Sequence, residues 1–446
     1  GPKVDAPAAF KHAGTQPAPA QPTPAVTTEA WWKIFGDPAL DELATAALAH
    51  NPSLQASVAR VEEARARVSL ARVETAVTAT ASGTSRLVGE SAERTLPVPG
   101  RPVTYRDRGD TYRASFDASY ELDLWGRVKR SLESAEAQVM ASEADLRGVQ
   151  LVLTSEVAQT YFTWRTLESV AAVLERTLAT RREAVEVLQT RFAAGLAPDL
   201  DASRARVEVA TLESEIVDVR RRREQTVNTL AILTGKAPAA FTAPATSIAL
   251  NLPPVIPAGL PSELLRRRPD LAASEALLHA RTAEIGVAEA AKFPSIRLTG
   301  GAGFESADLG SLLGRPSQFW QLGPSFSVPL LDGGRTQANL TAARARVAAA
   351  AADYQQRGLT AFREVEDALV DLREQAAQAE AQARAAEAAA SVTQLATTRY
   401  ERGFATYLDV IDAQRSTLQI DRARAELTGA RYASTVRLIR ALGGGW

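Results

Sequence analysis

Thr398-Arg399-Tyr400-Glu401-Arg402-Gly403-Phe404-Ala405-Thr406-Tyr407-Leu408-Asp409 has a twin in the same chain, Thr190-Arg191-Phe192-Ala193-Ala194-Gly195-Leu196-Ala197-Pro198-Asp199-Leu200-Asp201. A constant offset of 208 residues pairs Thr190 with Thr398, Gly195 with Gly403 and Asp201 with Asp409. The same offset pairs Leu230 with Leu438 and Gly235 with Gly443 downstream, and Gly126-Arg127 with Gly334-Arg335 upstream. The chain is therefore a tandem duplication, and an internal repeat overrides the several-domain expectation that 446 residues would otherwise carry. In each copy glycine supplies the backbone conformation that ends one helix, and an aspartate six residues on falls in the first turn of the next. Both copies read as the tip of a helical hairpin.

Outward from the tips the pattern is helical over long distances. From Gly126 to Gly195 apolar residues recur at spacings of three and four, among them Val128, Leu132, Leu153, Leu174, Leu188 and Phe192. About 69 residues at 1.5 Å each span roughly 100 Å, which indicates a coiled coil or helical tube. Leu200 to Gly235 predicts a helix of roughly 50 Å. Arg335 to about Arg402 and the stretch on to about Leu442 repeat the plan. Helical patterns also run from Leu40 to about Val73 and from about Ser262 to Ala291, so each long helix is expected to be matched by two shorter ones end to end. The predicted organisation is an extended strap over 1–35, a first repeat over 36–235, a Pro-rich segment over 236–261 and a second repeat over 262–446.

Each repeat also holds two period-two stretches. Val77, Ala79, Ala81 and Gly83 alternate with Thr and Ser, and a loop containing Pro97, Pro99 and Pro102 runs from about Val88 to Asp110. Tyr112, Ala114, Phe116, Ala118 and Tyr120 then share one face, with Arg113, Ser115, Asp117 and Ser119 on the other. In the second repeat Ile296, Leu298 and Phe304 alternate with polar residues, as do Trp320, Leu322 and Phe326. Four strands of about ten residues, apolar on one side and hydrophilic on the other, have the patterning of transmembrane β-strands. The other reading of that periodicity is a soluble sheet packed on helices. In lipid, four strands cannot close and an open edge is not tolerated, so several chains must share one barrel.

Bulk properties remove other classes. Lys plus Arg number 51 against 52 Asp plus Glu, a net charge of -1, so nucleic acid is not expected, and Arg220-Arg221-Arg222-Arg223 reads as a solvated helix face. No cysteine is present, and no apolar run is long enough for a membrane-spanning helix. His12, His50 and His279 are scattered, Gly301-Ala302-Gly303 lacks the third glycine of a dinucleotide loop, and Gly235-Lys236 lacks the first glycine of a phosphate loop. Glu364, Glu366, Asp367 and Asp371 read as a water-facing helix surface rather than a metal site. No catalytic residues, metal or cofactor are expected.

Tyr120-Glu121-Leu122-Asp123-Leu124-Trp125-Gly126-Arg127, Leu260-Pro261-Ser262-Glu263-Leu264-Leu265-Arg266-Arg267-Arg268-Pro269-Asp270-Leu271, Val328-Pro329-Leu330-Leu331-Asp332-Gly333-Gly334-Arg335 and the tip from Tyr400 to Gln414 occur in one order. With them the chain resembles the outer membrane efflux proteins, and more narrowly the NodT-type branch of outer membrane factors, from about Trp31 to Leu442. The resemblance implies a mixed α+β membrane protein. It would be a homotrimer, with four transmembrane strands per chain completing a twelve-stranded β-barrel in outer membrane lipid above a long α-helical barrel in the periplasm. It implies that the Pro-rich segment joins the chain ends in an equatorial belt. It also implies two partners, a periplasmic adaptor (membrane fusion) protein and an inner-membrane transporter of the resistance-nodulation-division class. A targeting segment and an N-terminal lipid anchor are expected of the full gene product.

By the same resemblance Leu408, Asp409 and Asp412 form the periplasmic constriction, and Gly195 and Gly403 mark the tip turns and adaptor contact. Links between neighbouring helices at the tip would involve Asp201 and Tyr400. The family's arginine there is replaced by Ala405, which leaves a Tyr400 to Asp201 bond, with Arg402 as the available cation. The row Tyr112, Phe116, Tyr120, Ile296, Leu298, Phe304, Trp320, Leu322 and Phe326 is expected to face lipid. The expected function is a passive exit duct of an efflux pump. A soluble helical periplasmic scaffold or adaptor, for which that aromatic row has no use, and a type I secretion exit duct are the alternatives. A hydrolase fails for want of a nucleophile and base. One methionine and three histidines give no support to a copper or silver duct.

Overall fold

The computed structural model describes residues 6–12, 30–89, 95–96, 103–104, 108–244, 250, 252–257, 259 and 261–444. Most of the strap expected over 1–35, and parts of the loop after Val88 and of the Pro-rich segment, lie outside the described residues.

The first repeat runs α1 (Pro38–His50), α2 (Pro52–Val73), β1 (Thr78–Gly89), a short hairpin of β2 (Thr95–Leu96) and β3 (Val103–Thr104), β4 (Arg108–Glu121), α3 (Arg127–Ala193) and α4 (Asp199–Leu233). The second runs α5 (Pro261–Arg267), α6 (Pro269–Ala290), β5 (Ser295–Ser306), β6 (Gln318–Ser327), α7 (Arg335–Glu401) and α8 (Tyr407–Ala441). Duplication is visible in the lengths: α3 and α7 have 67 residues each, α4 and α8 have 35, α2 and α6 have 22.

Two expected helices are each broken once, at Asn51-Pro52 and at Arg268-Pro269, because the residue before proline is pushed out of the helical region. Both breaks are used as joints. The Asn51 side chain accepts from the amides of Ser53 (2.9 Å) and Leu54 (3.3 Å), capping α2, while its amide donates to the Leu233 carbonyl at the end of α4 (2.9 Å). In the second repeat Arg268 Nη1 donates to the Ala441 carbonyl at the end of α8 (3.1 Å) and to Glu364 (2.6 Å). The joints need close approach: Gly235 has φ +74°, and a Cβ there would lie 2.3 Å from the His50 carbonyl oxygen. The acidic stretch on α7 is thus partly interior, contrary to a purely water-facing surface. Glu364 holds Arg268, Asp371 accepts from Arg437 (2.7 Å) and Glu366 from the Lys11 amide (2.6 Å). Arg221 and Arg222 pair with Asp218 on their own exposed helix face, as a solvated charge run does.

The compact units do not follow the repeats, since each takes part of both. One comprises 1–59, 143–273 and 354–446; the other comprises 60–142 and 274–353. The first is centred on aromatic packing: Phe35 on Phe162 (4.9 Å between centroids) and Phe162 stacked on Tyr432 (4.4 Å). Asp37 caps α1 through the Ala39 amide (3.0 Å) and accepts from the Tyr161 hydroxyl (2.6 Å) and from Arg165 (3.4 Å). Burial, then the bond to Asp37, pushes the Tyr161 phenol well above its ordinary value.

The second unit holds a four-stranded antiparallel sheet in the order β1-β4-β5-β6. Its register puts Phe116 beside Ala302, and Ala302 beside Trp320. It also puts Tyr120 beside Leu298, Ala114 beside Phe304, Ile296 beside Phe326 and Gly300 beside Leu322, so the aromatic row shares one face with Tyr112. Phe116 is 71% exposed and Trp320 81%. On the opposite face side chains satisfy one another: Arg113 with Glu305 (3.2 Å), Ser115 with Ser82 (3.0 Å) and Asp117 (2.8 Å), and Glu121 with Arg297 (3.2 Å). Among the described residues β1 and β6 each have one strand neighbour, so both edges leave backbone groups to be paired elsewhere. No helix among the described residues is long and apolar enough to cross a membrane.

Candidate functional site at the hairpin tips

The two tip turns are built alike. Gly195 (φ 69°) and Gly403 (φ 77°) sit in the left-handed region that terminates a helix. Leu196 donates to the Arg191 carbonyl and Phe404 to the Arg399 carbonyl, both at 2.8 Å. The glycine amides reach back to the carbonyls of Phe192 and Tyr400, both at 2.9 Å. These are paired Schellman closures, and sequence alone located them.

The turns differ in how the next helix starts. At α4 the N-cap is Pro198, with no side-chain cap bond. At α8 Thr406 and Asp409 form a reciprocal capping box, in which the Asp409 carboxylate accepts from the Thr406 amide (2.8 Å) and hydroxyl (2.7 Å). The hydroxyl first, then the amide, holds the exposed Asp409 carboxyl below the usual carboxylate range. Leu408 and Asp412 are also exposed, and Asp412 faces Arg415 at 3.8 Å.

Tyr400 does not bond to Asp201 as expected. Its ring packs on buried Tyr407 (5.5 Å), which stands where the first tip has Asp199, with Arg191 at 6.0 Å. Asp201 instead lies 3.9 Å from Arg204 on its own helix, and Arg402 is exposed with no ion pair among the described residues.

The helices are tied higher up, by residues that sequence reading missed. Glu208 on α4 accepts from Arg181 on α3 (2.9 Å) and from Arg415 on α8. Arg181 and Glu208 are buried, whereas Arg415 is half-exposed. Arg422 reaches Glu215 at 2.7 Å a little further along. These residues line an open groove of about 600 Å3 that also includes Leu212. A signal was present in the sequence, since Arg181, Glu208 and Arg415 stand where the other repeat has Ala389, Ser416 and Val207.

The arrangement at the tips holds helices and presents charge. The family model for outer membrane efflux proteins matches residues 43–236 and 260–444. The solvent efflux pump outer membrane protein SrpC of Pseudomonas putida is 35% identical over 416 residues, 93% of this chain and 87% of that one. Outer membrane protein OprJ of Pseudomonas aeruginosa is 35% identical over 424 residues, 95% and 87% of the two chains. The solved structure of the outer-membrane channel OprN superposes with a TM-score of 0.88 at 30% identity, over 100% of this chain and 98% of that one. The chain belongs to the outer membrane efflux protein family. It is the outer membrane channel of a tripartite efflux pump, with the family's fold of a long helical barrel and a β-barrel to which each of three chains gives four strands.

Proposed function

We propose that Leu408, Asp409 and Asp412 form the resting gate of this duct at its periplasmic end, with Asp412 the residue that filters charge. The observation that carries this is the asymmetry of the tips. Asp409 has a sufficient local reason in its capping box, and the first tip carries Asp201 at the same place. Asp412 has no capping role: Arg204 stands at its equivalent, and its carboxylate is exposed with only a loose 3.8 Å pair to Arg415 on its own helix. Three copies around one opening would attract cations and repel one another, while Leu408 supplies an apolar constriction. The apolar row from Tyr112 to Phe326 faces lipid in this reading.

The partners in this reading are a periplasmic adaptor of the membrane-fusion type, seated at the tip turns around Gly195 and Gly403, and an inner-membrane transporter of the resistance-nodulation-division class. The relative named for solvent efflux supports a small-molecule cargo.

Reversal potentials in planar bilayers test the gate. Asp412→Ala is expected to lower cation selectivity and weaken block by trivalent cations, while Asp409→Ala acts mainly on the helix start. The Asp409 carboxyl has a lowered value, so its capping contribution is present above the usual carboxylate range and is lost as pH falls through the lowered one. Unchanged selectivity and block in Asp412→Ala would place the gate elsewhere.

A further inference from the structure

At the ends of the strands nearest the helices, all four chain crossings expose apolar side chains that the strand pattern does not require. Val77 precedes β1, Leu124 and Trp125 follow β4, Phe293 precedes β5, and Leu330 and Leu331 follow β6. Leu330 is 86% exposed and Leu331 99%, more than any residue of the membrane-facing row. Trp125 is fixed rather than loose: its ring stacks on Phe293 (4.7 Å, 18° between planes) and its Nε1 donates to the Pro294 carbonyl at 2.7 Å.

Exposed cations stand beside this collar. Exposed Lys129, Lys292 and Arg335 follow or adjoin Trp125, Phe293 and Leu331 within four residues. The neighbouring acids are engaged. Asp123 accepts from the Val128 (3.1 Å) and Lys129 (2.8 Å) amides, and Asp332 from the Gly334 (2.9 Å) and Thr336 (2.8 Å) amides. Glu74 and Glu121 share Arg127, Glu133 pairs with Arg130, and Glu136 with Arg72. Lys129 and Lys292 have no ion-pair partner among the described residues.

We infer that this collar is a phospholipid-binding surface, seating Trp125, Phe293, Leu124, Leu330 and Leu331 in the periplasmic leaflet and holding anionic headgroups on Lys129, Lys292 and Arg335. It rests on the lipid-facing reading of the sheet and continues that face past the strands. An apolar step followed by an aromatic and then a cation is the order in which a bilayer presents hydrocarbon, interface and phosphate. A stacked tryptophan with its N–H already satisfied suits the interface, where ring area counts and a rigid ring loses little freedom.

These 446 residues hold no cysteine, which allows clean spin-labelling of Leu331→Cys and Leu124→Cys, with Trp320→Cys as a strand control. In vesicles of phosphatidylethanolamine and phosphatidylglycerol, both collar labels are expected to be open to oxygen and shielded from a water-soluble nickel chelate, at a shallower depth than the Trp320 label. Nickel access at Leu331 and Leu124 with a lipid-exposed Trp320 label overturns the collar alone. Shielding from both reagents assigns the surface to a neighbouring chain and also overturns it. Nickel access at Trp320 would instead overturn the lipid-facing reading. Spin-labelled phosphatidylglycerol should associate in preference to phosphatidylethanolamine, and K129Q, K292Q and R335Q should each weaken that preference roughly five-fold at the site concerned. Equal association of the two lipids with the unaltered chain would overturn the headgroup assignment.

Discussion

Replacing Glu208 with Ala is expected to loosen the tip by about 3–5 kcal/mol, the range for removing one partner of a buried ion pair. The loss leaves the buried Arg181 guanidinium with a 3.4 Å contact to the Glu208 carbonyl and an Nε that already lacks a partner. It also cuts the cross-link between α4 and α8. Hydrogen exchange reads this locally: amides around Glu208–Leu212 and Ala413–Leu418 should exchange roughly a hundred- to several-thousand-fold faster. Arg415→Ala is the informative comparison. Arg415 is half-exposed and its loss strands no buried cation, so it should cost no more than about 1 kcal/mol. Equal effects of the two substitutions would show that Glu208 is not held as a buried charge.

Placing Arg at Phe116 should cost about 2–4 kcal/mol per chain, the range for a cation near the bilayer midplane on the lipid face of a barrel. Phe116 lies inside β4 and shares its face with Trp320 on the strand beyond its neighbour, so if that face meets lipid, depth as well as orientation penalises the charge. Phe326 is the penultimate residue of β6 and pairs with Ile296, so Arg there should cost about 0–1 kcal/mol. Ser119→Arg, on the opposite face of β4, should be nearly neutral. The fraction of heat-resistant trimer recovered from membranes ranks the three. A ranking that puts Ser119→Arg below Phe116→Arg would mean that the assigned face is the wrong one.

The repeat, the tip turns and the strand faces were legible because each rests on a local signal. A left-handed glycine, a period of two and equal spacing in two copies survive without knowledge of distant contacts. The helix breaks at Asn51-Pro52 and Arg268-Pro269 carried a signal that periodicity hid, since apolar spacing continues across a proline even when the backbone does not. Glu364 and Asp371 looked solvated because a charge on an amphipathic helix faces water by default, and their partners Arg268 and Arg437 lie 96 and 66 residues away. The cross-link of Glu208 to Arg415 spans 207 residues. No periodicity reports such a contact, although the mismatch between repeats at those positions marks where the copies took different roles. In this chain Tyr400 packs on Tyr407 rather than bonding to Asp201, a contact between two helices that no periodicity reports.

A duct held shut at the tip by Leu408 and Asp412 is tested most directly by single-channel recording of the reconstituted chain beside Leu408→Ala. The unaltered chain should give small, discrete, cation-selective currents, and Leu408→Ala should raise the basal conductance while leaving selectivity to Asp412. Equal conductance in the two, or no discrete channel from either, would contradict a gate at this tip.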